Sequence, residues 1–497
     1  MKYNFTQALI SNIERTFTYS YAKNAYSSKI KPEYFDSIEF FEECLKEEPF
    51  DALMALEGVA FKRAKNILDK FGIAYTEEQE RRAKVYADVT EKMMRERSDY
   101  VSLFVENLHN TGVVKIAEPF VLTTTKTINV ADFINFFPKE KITDNLIYED
   151  DLPVQLVKSK EQYNAVKNCV RYHVSCLIGG AGTGKSFVTA QVIKQLQLND
   201  LEVVVLAPTH KAREALQKKM KDNGVEGTVK TIHSYVHKPS ECDAIVIDES
   251  GMLSTPLMDA LRRVYGGEQL IFVGDKNQLP PVDYGRPFEK IQKKVMVSEL
   301  KENHRSESAD IVMLGREILG VPFNANMDLN NIEVVDNIES AFDRGAEVLL
   351  TYTNSDVKET NEAKRIKNGK NSISPLFSIG DKVIAKTNER GRFFNGQLFE
   401  VVDFNLLKNV ETLEIVKIKS DKDFEYNFDL AYGLTIHKSQ GSEWDIVAYK
   451  PSELDSQNLA YVAVTRAKRK LIIVGDKLKT LYKPEREWRQ LYEVNCV

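Results

Sequence analysis

Residues 174–186 read VSCLIGGAGTGKS, and this stretch decides the fold. A strand-like apolar run comes first, a segment that fits G-x-x-x-x-G-K-[ST] follows at 179–186, and residues 187–198 have a helical pattern. Glycines let backbone N–H groups turn inward around phosphate, and the start of a helix adds positive potential. We therefore predict a phosphate-binding loop. The alternative is a glycine-rich turn that holds no ligand.

Two side chains of this loop have the chemistry that ATP and its metal require. Lys185 is expected to reach the β- and γ-phosphates, and the Ser186 hydroxyl to ligate Mg²⁺. The predicted nucleotide-binding residues of the loop are Gly180, Ala181, Gly182, Thr183, Gly184, Lys185 and Ser186.

Carboxylates and an amide follow two later strand-like runs. AIVIDES at 244–250 places Asp248 and Glu249 directly after an apolar run. Asp248 is predicted to hold Mg²⁺, and Glu249 is predicted to orient or deprotonate the attacking water. FVGDKNQLPPV at 272–282 places Gln278 where it can contact the γ-phosphate. An Asp-Glu pair alone is more often a solvated strand end, but after a phosphate loop it indicates ATP hydrolysis.

The composition of the 497-residue chain is that of a globular protein, with 43% hydrophobic and 28% charged residues. It excludes collagen-like, mucin-like and largely disordered proteins, and the length suggests about three domains. The 68 Lys and Arg against 73 Asp and Glu give a net charge of −5, which argues against a histone-like blanket of positive charge. Five cysteines form no CxxC pair, and no signal-peptide core or long apolar run is present. We expect a cytoplasmic protein, in the host cytoplasm if the source is viral.

The pattern along the chain predicts an α/β fold that follows a mostly helical N-terminal region. Residues 1–150 look helical, and the charged stretch at 148–160 marks a boundary. Beyond it, β-branched runs alternate with amphipathic segments, as in a parallel sheet with helices on both faces. The predicted strands are 174–178, 203–206, 244–247, 269–273, the run EVLLTYT from 347, and 470–474. Residues 379–428 have many short β-like runs, which predicts an all-β insertion.

Three further motifs complete an ordered set: ENHR at 302–305, LTIHKSQGSEWD at 434–445 and YVAVTRAKRK at 461–470. With them, residues 160–470 resemble superfamily 1 helicases of the 5′→3′ branch, which contains RecD-like and Dda-like enzymes. The resemblance implies two RecA-like motor domains at 151–297 and at 298–378 plus 429–497, with ATP between them. It also implies an SH3-like insertion at 379–428 and a helical N-terminal domain at 1–150.

The same resemblance implies roles for single residues. Gln162 would contact adenine, Arg305 and Arg466 would reach the γ-phosphate from the second motor domain, and Glu443 would contact the ribose. The alternative for either arginine is a surface salt bridge.

DNA contacts are predicted where polar turns follow strand-like runs, since hydroxyls, imidazoles and backbone amides suit phosphates. APTHKA at 207–212 and TIHS at 231–234 are such turns. The predicted DNA-binding residues are Pro208, Thr209, His210, Thr231, His233, Asn395, Thr435 and His437. Residues 205–238 hold seven Lys or Arg against three acids, which is either a basic strip for DNA or a solvated helix face. Single-stranded and forked DNA are the expected partners of a monomer, together with replication or recombination proteins.

Three regions leave alternatives open. The stretch 235–244 is too short for the long β-hairpin pin that splits duplex in RecD-like enzymes, so a stub at 236–239 or another domain would separate the strands. Residues 49–73 resemble a helix-hairpin-helix, with Gly58 in the turn, or are a helical hairpin used for packing. In the insertion, Asn395-Gly396 predicts a hairpin turn, and basic side chains line a DNA track or a solvated face. These basic residues are Lys382, Lys386, Arg390 and Arg392.

The motifs together predict an ATP-dependent DNA helicase, and the family resemblance implies that it moves 5′→3′. One alternative is a translocase, or the motor subunit of a nuclease or recombination complex, that moves on single strands without unwinding. Another is a non-catalytic DNA clamp for which ATP binding is only a switch. Lys185, Asp248, Glu249, Gln278 and Arg466 speak against the clamp.

Overall fold

The computed structural model describes the motor region almost completely and the start of the chain in part. The described residues are 61–77, 114–117, 121–142, 144–304, 308–320, 330–368, 377–389, 391–403 and 405–475, with short pieces between 41 and 91. Across these residues, no helix combines the length and the apolar character that crossing a bilayer would require.

The first sheet contains six parallel strands in the order β5-β4-β6-β7-β3-β8. They are β3 (Val174–Gly179), β4 (Val203–Ala207), β5 (Val229–Thr231), β6 (Ala244–Ile247), β7 (Gln269–Gly274) and β8 (Met296–Leu300). Strands β3, β6 and β7 are buried along their whole length, as a sheet covered on both faces requires. Because parallel strands end at the same edge, the segments that follow β3, β6 and β7 meet there.

Helices cover both faces of this sheet. They are α3 (Thr125–Asn135), α4 (Val154–Lys158), α5 (Lys160–Arg171), α6 (Lys185–Leu198), α7 (His210–Asp222), α8 (Ile232–His237), α9 (Thr255–Val264) and α10 (Pro287–Ile291). Several begin at a side chain that caps free backbone N–H groups, for example Thr209 before α7 and Ser254 before α9. Helix α3 lies before residue 150, yet its Val130 and Ile134 belong to the core beneath this sheet.

The second sheet contains five parallel strands in the order β16-β10-β17-β18-β9. They are β9 (Ile332–Val335), β10 (Val348–Thr351), β16 (Gly433–Thr435), β17 (Trp444–Tyr449) and β18 (Ala467–Val474). The helices of this half are α11 (Ala309–Ile318), α12 (Ile338–Asp343), α13 (Asn354–Asn368) and α15 (Gln457–Thr465). Helix α15 is buried along most of its length, and it packs on α11 and on the sheet.

An antiparallel sheet interrupts the second half, in the stretch where the sequence indicates an all-β insertion. Its order is β14-β13-β12-β11-β15. The strands are β11 (Lys382–Ala385), β12 (Leu398–Asp403), β13 (Leu406–Asn409), β14 (Ile415–Lys417) and β15 (Phe428–Leu430), with helix α14 (Asp421–Asn427) before the last. The side chains of Phe393, Phe399 and Phe428 pack together in its core. An SH3-like classification of this sheet stays a prediction.

The described part of the N-terminal region is not purely helical. Helices α1 (Pro49–Met54) and α2 (Phe61–Phe71) are joined by the stacked rings of Phe50 and Phe61, whose centroids are 5.5 Å apart. Strands β1 (Val114–Ala117) and β2 (Val121–Thr124) form an antiparallel pair that the helical prediction did not include. Gly58, the turn residue of the helix-hairpin-helix prediction, lies outside the described residues.

The α/β fold is confirmed, as are the strands predicted in both parallel sheets and the helix after the phosphate loop. The Asn395-Gly396 prediction needs correction. Gly396 has a φ of +89°, as a turn requires, but the turn ends the long loop 386–397 and does not join two paired strands directly.

Candidate functional site

A cavity of about 430 Å³ lies between the two parallel-sheet halves. Its size is in the range of small-molecule sites. It is lined from the first half by Gly180, Ala181, Gly182, Gly184, Lys185, Ser186, Phe187, Ala212, Ala215, Leu216, Lys219, Asp248, Glu249, Asp275 and Gln278. From the later part of the chain it is lined by His304, Gly441, Glu443 and Arg466. The structure therefore brings most of the predicted nucleotide residues together.

The phosphate loop has the geometry that its glycines predict. Gly182 and Gly184 have φ values of +76° and +81°, in a region that glycine adopts without strain. The ammonium of Lys185 donates to the carbonyl oxygens of Gly179 at 2.6 Å and Gly180 at 2.9 Å, which holds it inside the loop. Helix α6 begins at Lys185, so its free N–H groups point toward the same space.

Gln162 contacts the loop itself. Its Nε2 donates to the Thr183 carbonyl oxygen at 3.4 Å, and a Cβ on Gly184 would lie 2.6 Å from the same nitrogen. The positive φ at 184 therefore favours glycine, and a Cβ there would force the Gln162 side chain to shift. Gln162 and Thr183 are buried and stand behind the residues that form the cavity wall.

Three carboxylates from neighbouring strand ends face the cavity. Burial raises the pKa of Asp248, while the charges of Lys219 and Lys185 oppose that rise. Burial and the charge of Asp248 raise the pKa of Glu249. Glu249 has a φ of +51°, which is rare for a residue with a side chain and is typical of functional sites. The third carboxylate, Asp275, was missed by the sequence reasoning, although it follows β7 three residues before Gln278.

The second half contributes Arg466 at the C-terminal end of α15. Its side chain is only 6% exposed, and its guanidinium donates to the carbonyl oxygens of Val462 and Ser442, both at 3.2 Å. The surface salt bridge considered for Arg466 is thus wrong. Glu443 also lines the cavity. Arg305 lies outside the described residues, and the preceding His304 lines the cavity, its backbone N–H donating to Gly182.

Lys219 is a second residue of the cavity that was not predicted to belong to the nucleotide site. It was counted in a basic strip for DNA, but it lines the cavity and acts electrostatically on Asp248 and Glu249. It lies on α7, about 40 residues from the phosphate loop in sequence, and no motif marks it.

Tyr461 is a third. From α15 its hydroxyl donates to Asp275 at 2.7 Å and accepts the backbone N–H of Ala181 at 3.0 Å. Its position in YVAVTRAK was noted, but its partners come from the other half of the molecule.

The donor set suits a hard divalent cation. Ser186 and Asp248 offer oxygen atoms, which Mg²⁺ prefers, and the raised pKa of Asp248 reflects buried charge that a cation would stabilise. Within the described part of the chain, no group of three or more His, Cys, Asp or Glu is arranged to hold a metal alone.

The predicted DNA-binding residues gather at a second place. Pro208 to His210 follow β4, and Thr231 ends the adjacent strand β5, where Ala207 pairs with Thr231. Thr209 and Thr231 accept N–H groups at the start of α7 and α8, so both hydroxyls are already used as helix caps. His233 and Asn395 are exposed, whereas Pro208 and Thr231 are buried.

The insertion contacts this place directly. The rings of His210 and Phe394 stack with centroids 3.6 Å apart and an angle of 4° between their planes. Burial, followed by the charge of Arg213, lowers the pKa of His210 to about 4, so the imidazole is neutral near pH 7. His210 therefore presents an uncharged ring, stacked on Phe394, at this place. Across the cleft, Lys211 Nζ donates to the carbonyl oxygen of Lys438, next to His437, at 2.9 Å.

Three of the seven basic residues counted at 205–238 do not share one exposed face. Lys211 is buried between the halves, and Lys219 faces the nucleotide cavity. Lys218 pairs with Glu411 of the insertion at 3.4 Å. Helix α7 is therefore an interface rather than a simple solvated face. Tertiary contacts that sequence counting cannot include caused this difference.

The basic track predicted on the insertion is also changed. Arg392 forms ion pairs with Glu389 and Asp423, and Lys386 forms one with Asp429 at 3.1 Å. Arg390 lies outside the described residues. These ion pairs stay within the insertion, so Lys386 and Arg392 serve its own structure.

Lys211 predicts a pH dependence of stability. Burial, followed by the charge of Arg466, lowers its pKa from 10.5 to about 7. The unfolded chain then binds more protons than the folded chain between pH 7 and 10.5, so the free energy of unfolding should rise with pH there, by at most about 1.4 kcal/mol per unit. Lys211→Met should remove this rise and be more stable than the wild type at pH 7. Urea unfolding at pH 7, 8 and 9 measures it.

The exposed Lys221 on the same helix provides the control. Lys221→Met should keep the wild-type pH dependence. Equal slopes for the wild type and Lys211→Met would show that Lys211 is not protonated differently in the two states.

Two family models match separate parts of the chain, and each part contributes residues to the cavity. The family described as "AAA domain" matches residues 157–318, which include Gln162, the phosphate loop, the acids and Gln278. The family described as "UvrD-like helicase C-terminal domain" matches residues 430–474, which include Glu443 and Arg466.

Curated relatives are distant and mostly longer. The chain is 27% identical to the ATP-dependent RecD2 DNA helicase of Deinococcus radiodurans over 82% of its own length and 62% of the relative. It is 25% identical to the probable conjugal transfer protein TraA of Sinorhizobium fredii over 63% of its length and 32% of the relative. The chain thus spans less than two-thirds of either protein.

Among solved structures, the chain is similar to Bacteroides Pif1 bound to ssDNA, with 17% identity, a TM-score of 0.45, and coverage of 69% of this chain and 97% of that one. It is also similar to the Pif1 helicase of Candida albicans, with 21% identity, a TM-score of 0.42, and coverage of 68% and 98%. The family matches and the RecD2 relative confirm the resemblance to RecD-like superfamily 1 helicases that the motifs indicated.

Proposed function

We propose that this protein is an ATP-driven DNA helicase that moves 5′→3′ on single-stranded DNA and unwinds duplex. One observation carries the proposal: the cavity is built from both parallel-sheet halves, with Lys185 and the acids on one wall and Arg466 on the other. A nucleotide bound there touches both halves, so its hydrolysis changes how strongly they hold together. Such a cycle of closing and reopening is what directional stepping requires.

Within this proposal, the residues of the first half bind and activate the nucleotide. Lys185 binds the β- and γ-phosphates, Gln278 contacts the γ-phosphate, and Glu249 orients the attacking water and takes its proton. Ser186 and Asp248 would hold Mg²⁺, which when bound neutralises charge on the β- and γ-phosphates. The raised pKa of Glu249 makes it a stronger base than a solvated glutamate, because burial favours the protonated form.

The second half completes the site. Arg466 and Arg305 supply positive charge to the γ-phosphate, Glu443 contacts the ribose, and Gln162 contacts adenine. Arg466 stands in the cavity wall with its guanidinium fixed by two backbone carbonyls, so little ordering is needed when the transition state forms.

The domain division is part of the proposal. It assigns residues 151–297 to the first RecA-like domain and residues 298–378 with 429–497 to the second. It takes 379–428 as an SH3-like insertion and 1–150 as a separate N-terminal domain. Helix α3 then belongs to the N-terminal segment by sequence and to the first motor domain by packing.

The place where His210, His233, Asn395, Thr435 and His437 gather is the proposed DNA-binding face. Imidazoles, amides and hydroxyls suit single-stranded DNA, whose phosphates and base edges accept and donate hydrogen bonds. Forked DNA is the proposed substrate of a monomer, and replication or recombination proteins are the proposed partners. The name of the RecD2 relative, an ATP-dependent DNA helicase, supports this reading.

Fork substrates test the activity and its direction. A duplex with a 5′ single-stranded tail should be unwound in the presence of ATP, and a duplex with a 3′ tail should not. Strand separation followed by gel or by fluorescence measures this. Unwinding from the 3′ tail alone would refute the proposed direction, and a blunt duplex is the matched control.

A second candidate is a translocase that moves on single strands without unwinding. It is favoured by the segment between α8 and β6, because residues 238–243 are described and contain no hairpin that could act as a pin. ATP hydrolysis stimulated by DNA without unwinding of either fork would establish this candidate. DNA binding that responds to ATP without hydrolysis would establish the non-catalytic clamp.

A further inference from the structure

One buried tyrosine joins the two halves at the phosphate loop. The Tyr461 hydroxyl accepts the Ala181 N–H at 3.0 Å and donates to Asp275 Oδ2 at 2.7 Å. The residue is 3% exposed. A Cβ on Gly180 would lie 3.2 Å from this hydroxyl, a tight contact, so the tyrosine lies directly against the loop.

Asp275 connects this hydroxyl to the segment that presents Gln278. Its other oxygen, Oδ1, accepts the backbone N–H of Asn277 at 2.9 Å, and its carbonyl oxygen accepts the N–H of Gln278 at 3.3 Å. The carboxylate is therefore fixed by its own loop on one side and by Tyr461 on the other. A movement of Tyr461 would be transmitted to the backbone of Gln278.

The same helix makes a second contact with this segment. Asn458, three residues before Tyr461 on α15, donates from Nδ2 to the carbonyl oxygen of Asn277 at 2.8 Å. Residues three apart on a helix share a face, so α15 holds the 275–278 segment at two adjacent points. Arg466 follows at the end of α15. One rigid helix thus links the phosphate loop, the Gln278 segment and the arginine.

We propose that Tyr461 is a positioning residue that couples the phosphate loop and Gln278 to Arg466, so that hydrolysis depends on the arrangement of the two halves. This rests on the proposed ATPase function. Burial and Asp275 raise the pKa of the Tyr461 hydroxyl, so it stays protonated and remains a donor at neutral pH. The hydroxyl contacts the phosphate loop through the backbone N–H of Ala181. A phosphate bound in the loop would compete with the hydroxyl for that N–H.

Tyr461→Phe tests the coupling, because it keeps the ring and removes both hydrogen bonds. We expect kcat for DNA-stimulated ATP hydrolysis to fall about tenfold, as for a lost hydrogen bond to a charged group, while KM for ATP changes less than about twofold. A non-hydrolysable ATP analogue should also change the affinity for single-stranded DNA less in Tyr461→Phe than in the wild type. The ratio of the affinities with and without the analogue should therefore move toward one.

Tyr449→Phe is the matched control. Tyr449 is also fully buried in the second half, and its hydroxyl donates to Asp455 at 2.7 Å, away from the cavity. Both variants lose a buried tyrosine–aspartate hydrogen bond, so a merely structural role predicts the same change in both. Equal kinetics in the two variants, or wild-type kinetics in Tyr461→Phe, would overturn the proposal.

Hydrogen exchange separates this inference from the proposed ATPase function. In nucleotide-free protein, peptides covering 180–184 and 275–278 should exchange faster in Tyr461→Phe than in the wild type or Tyr449→Phe. Unchanged exchange would refute the link even if the protein hydrolyses ATP. A wild type without ATPase activity would refute the proposed function, while exchange would still decide the link. Should Tyr461→Phe not fold, Asp275→Asn is expected to show the same split between kcat and KM, and wild-type values there would refute the link.

Discussion

Replacing Lys185 with alanine is expected to lower DNA-stimulated ATP hydrolysis by at least about 10³-fold, because the site loses the positive charge that binds the β- and γ-phosphates. The ammonium is held in the loop by the carbonyl oxygens of Gly179 and Gly180, so no other side chain of the loop can replace it. Single-stranded DNA binding should persist in part, since the proposed DNA-binding face lies elsewhere. Coupled-enzyme ATPase assays and fluorescence anisotropy with labelled DNA measure the two properties.

Lys194→Ala is the control for this variant. Lys194 lies on the same helix α6, is partly exposed, and donates to the Asp151 carbonyl oxygen at 3.1 Å, away from the cavity. It should keep wild-type ATPase activity and test whether loss of a lysine from α6 matters by itself. Undiminished hydrolysis in Lys185→Ala would disprove the nucleotide site.

Arg466→Ala is expected to have the second large effect. An arginine supplied across a cleft is worth about 10³–10⁵ in rate in related phosphoryl transfers, so kcat should fall by about 10³-fold. ATP binding should weaken much less, because the phosphate loop and its lysine remain. Arg466→Lys should restore little, since an ammonium cannot reproduce the forked guanidinium that binds two carbonyl oxygens. Stopped-flow single turnover separates binding from the chemical step.

Removing Arg466 also leaves buried carbonyl groups without their donor, so stability has to be measured beside activity. Arg469→Ala is the matched control on β18: its side chain is 70% exposed, and its guanidinium lies 4.0 Å from Asp445. It should keep both activity and melting temperature. If Arg466→Ala melts like the wild type and still hydrolyses ATP at the wild-type rate, Arg466 has no part in catalysis.

The N-terminal region and the insertion show where sequence periodicity is a limited guide. The β1–β2 pair was not predicted, and α3, which lies before residue 150, packs against the first parallel sheet. Short strands of four residues carry little periodic signal, and a helix does not reveal from its own residues which sheet it will cover. In the loop 386–397, Asn395-Gly396 forms a turn as the dipeptide indicates, but the dipeptide does not reveal that this turn lies at the end of a long connection.

Charge counting failed for a related reason. Seven basic residues at 205–238 suggested a strip, but their charges point in different directions once α7 is packed. Lys211 reaches Lys438, Lys218 reaches Glu411, and Lys219 faces the acids of the cavity. The number of charges is a property of the sequence, whereas the direction of each side chain depends on what lies against its helix.

The phosphate loop, the acids after β6 and Gln278 were predicted from local chemistry in the sequence, and Arg466 from the family resemblance; all of them line the cavity. The glycines, lysine and serine of the loop act together only at a set spacing, and the carboxylates lie directly after an apolar run. Residues that are neighbours in the chain therefore form each of these motifs. Tyr461, Asp275 and Lys219 became part of the site only through tertiary structure. Tyr461 meets Ala181 across 280 residues of chain, and such a contact exists only after two separately folded sheets have come together.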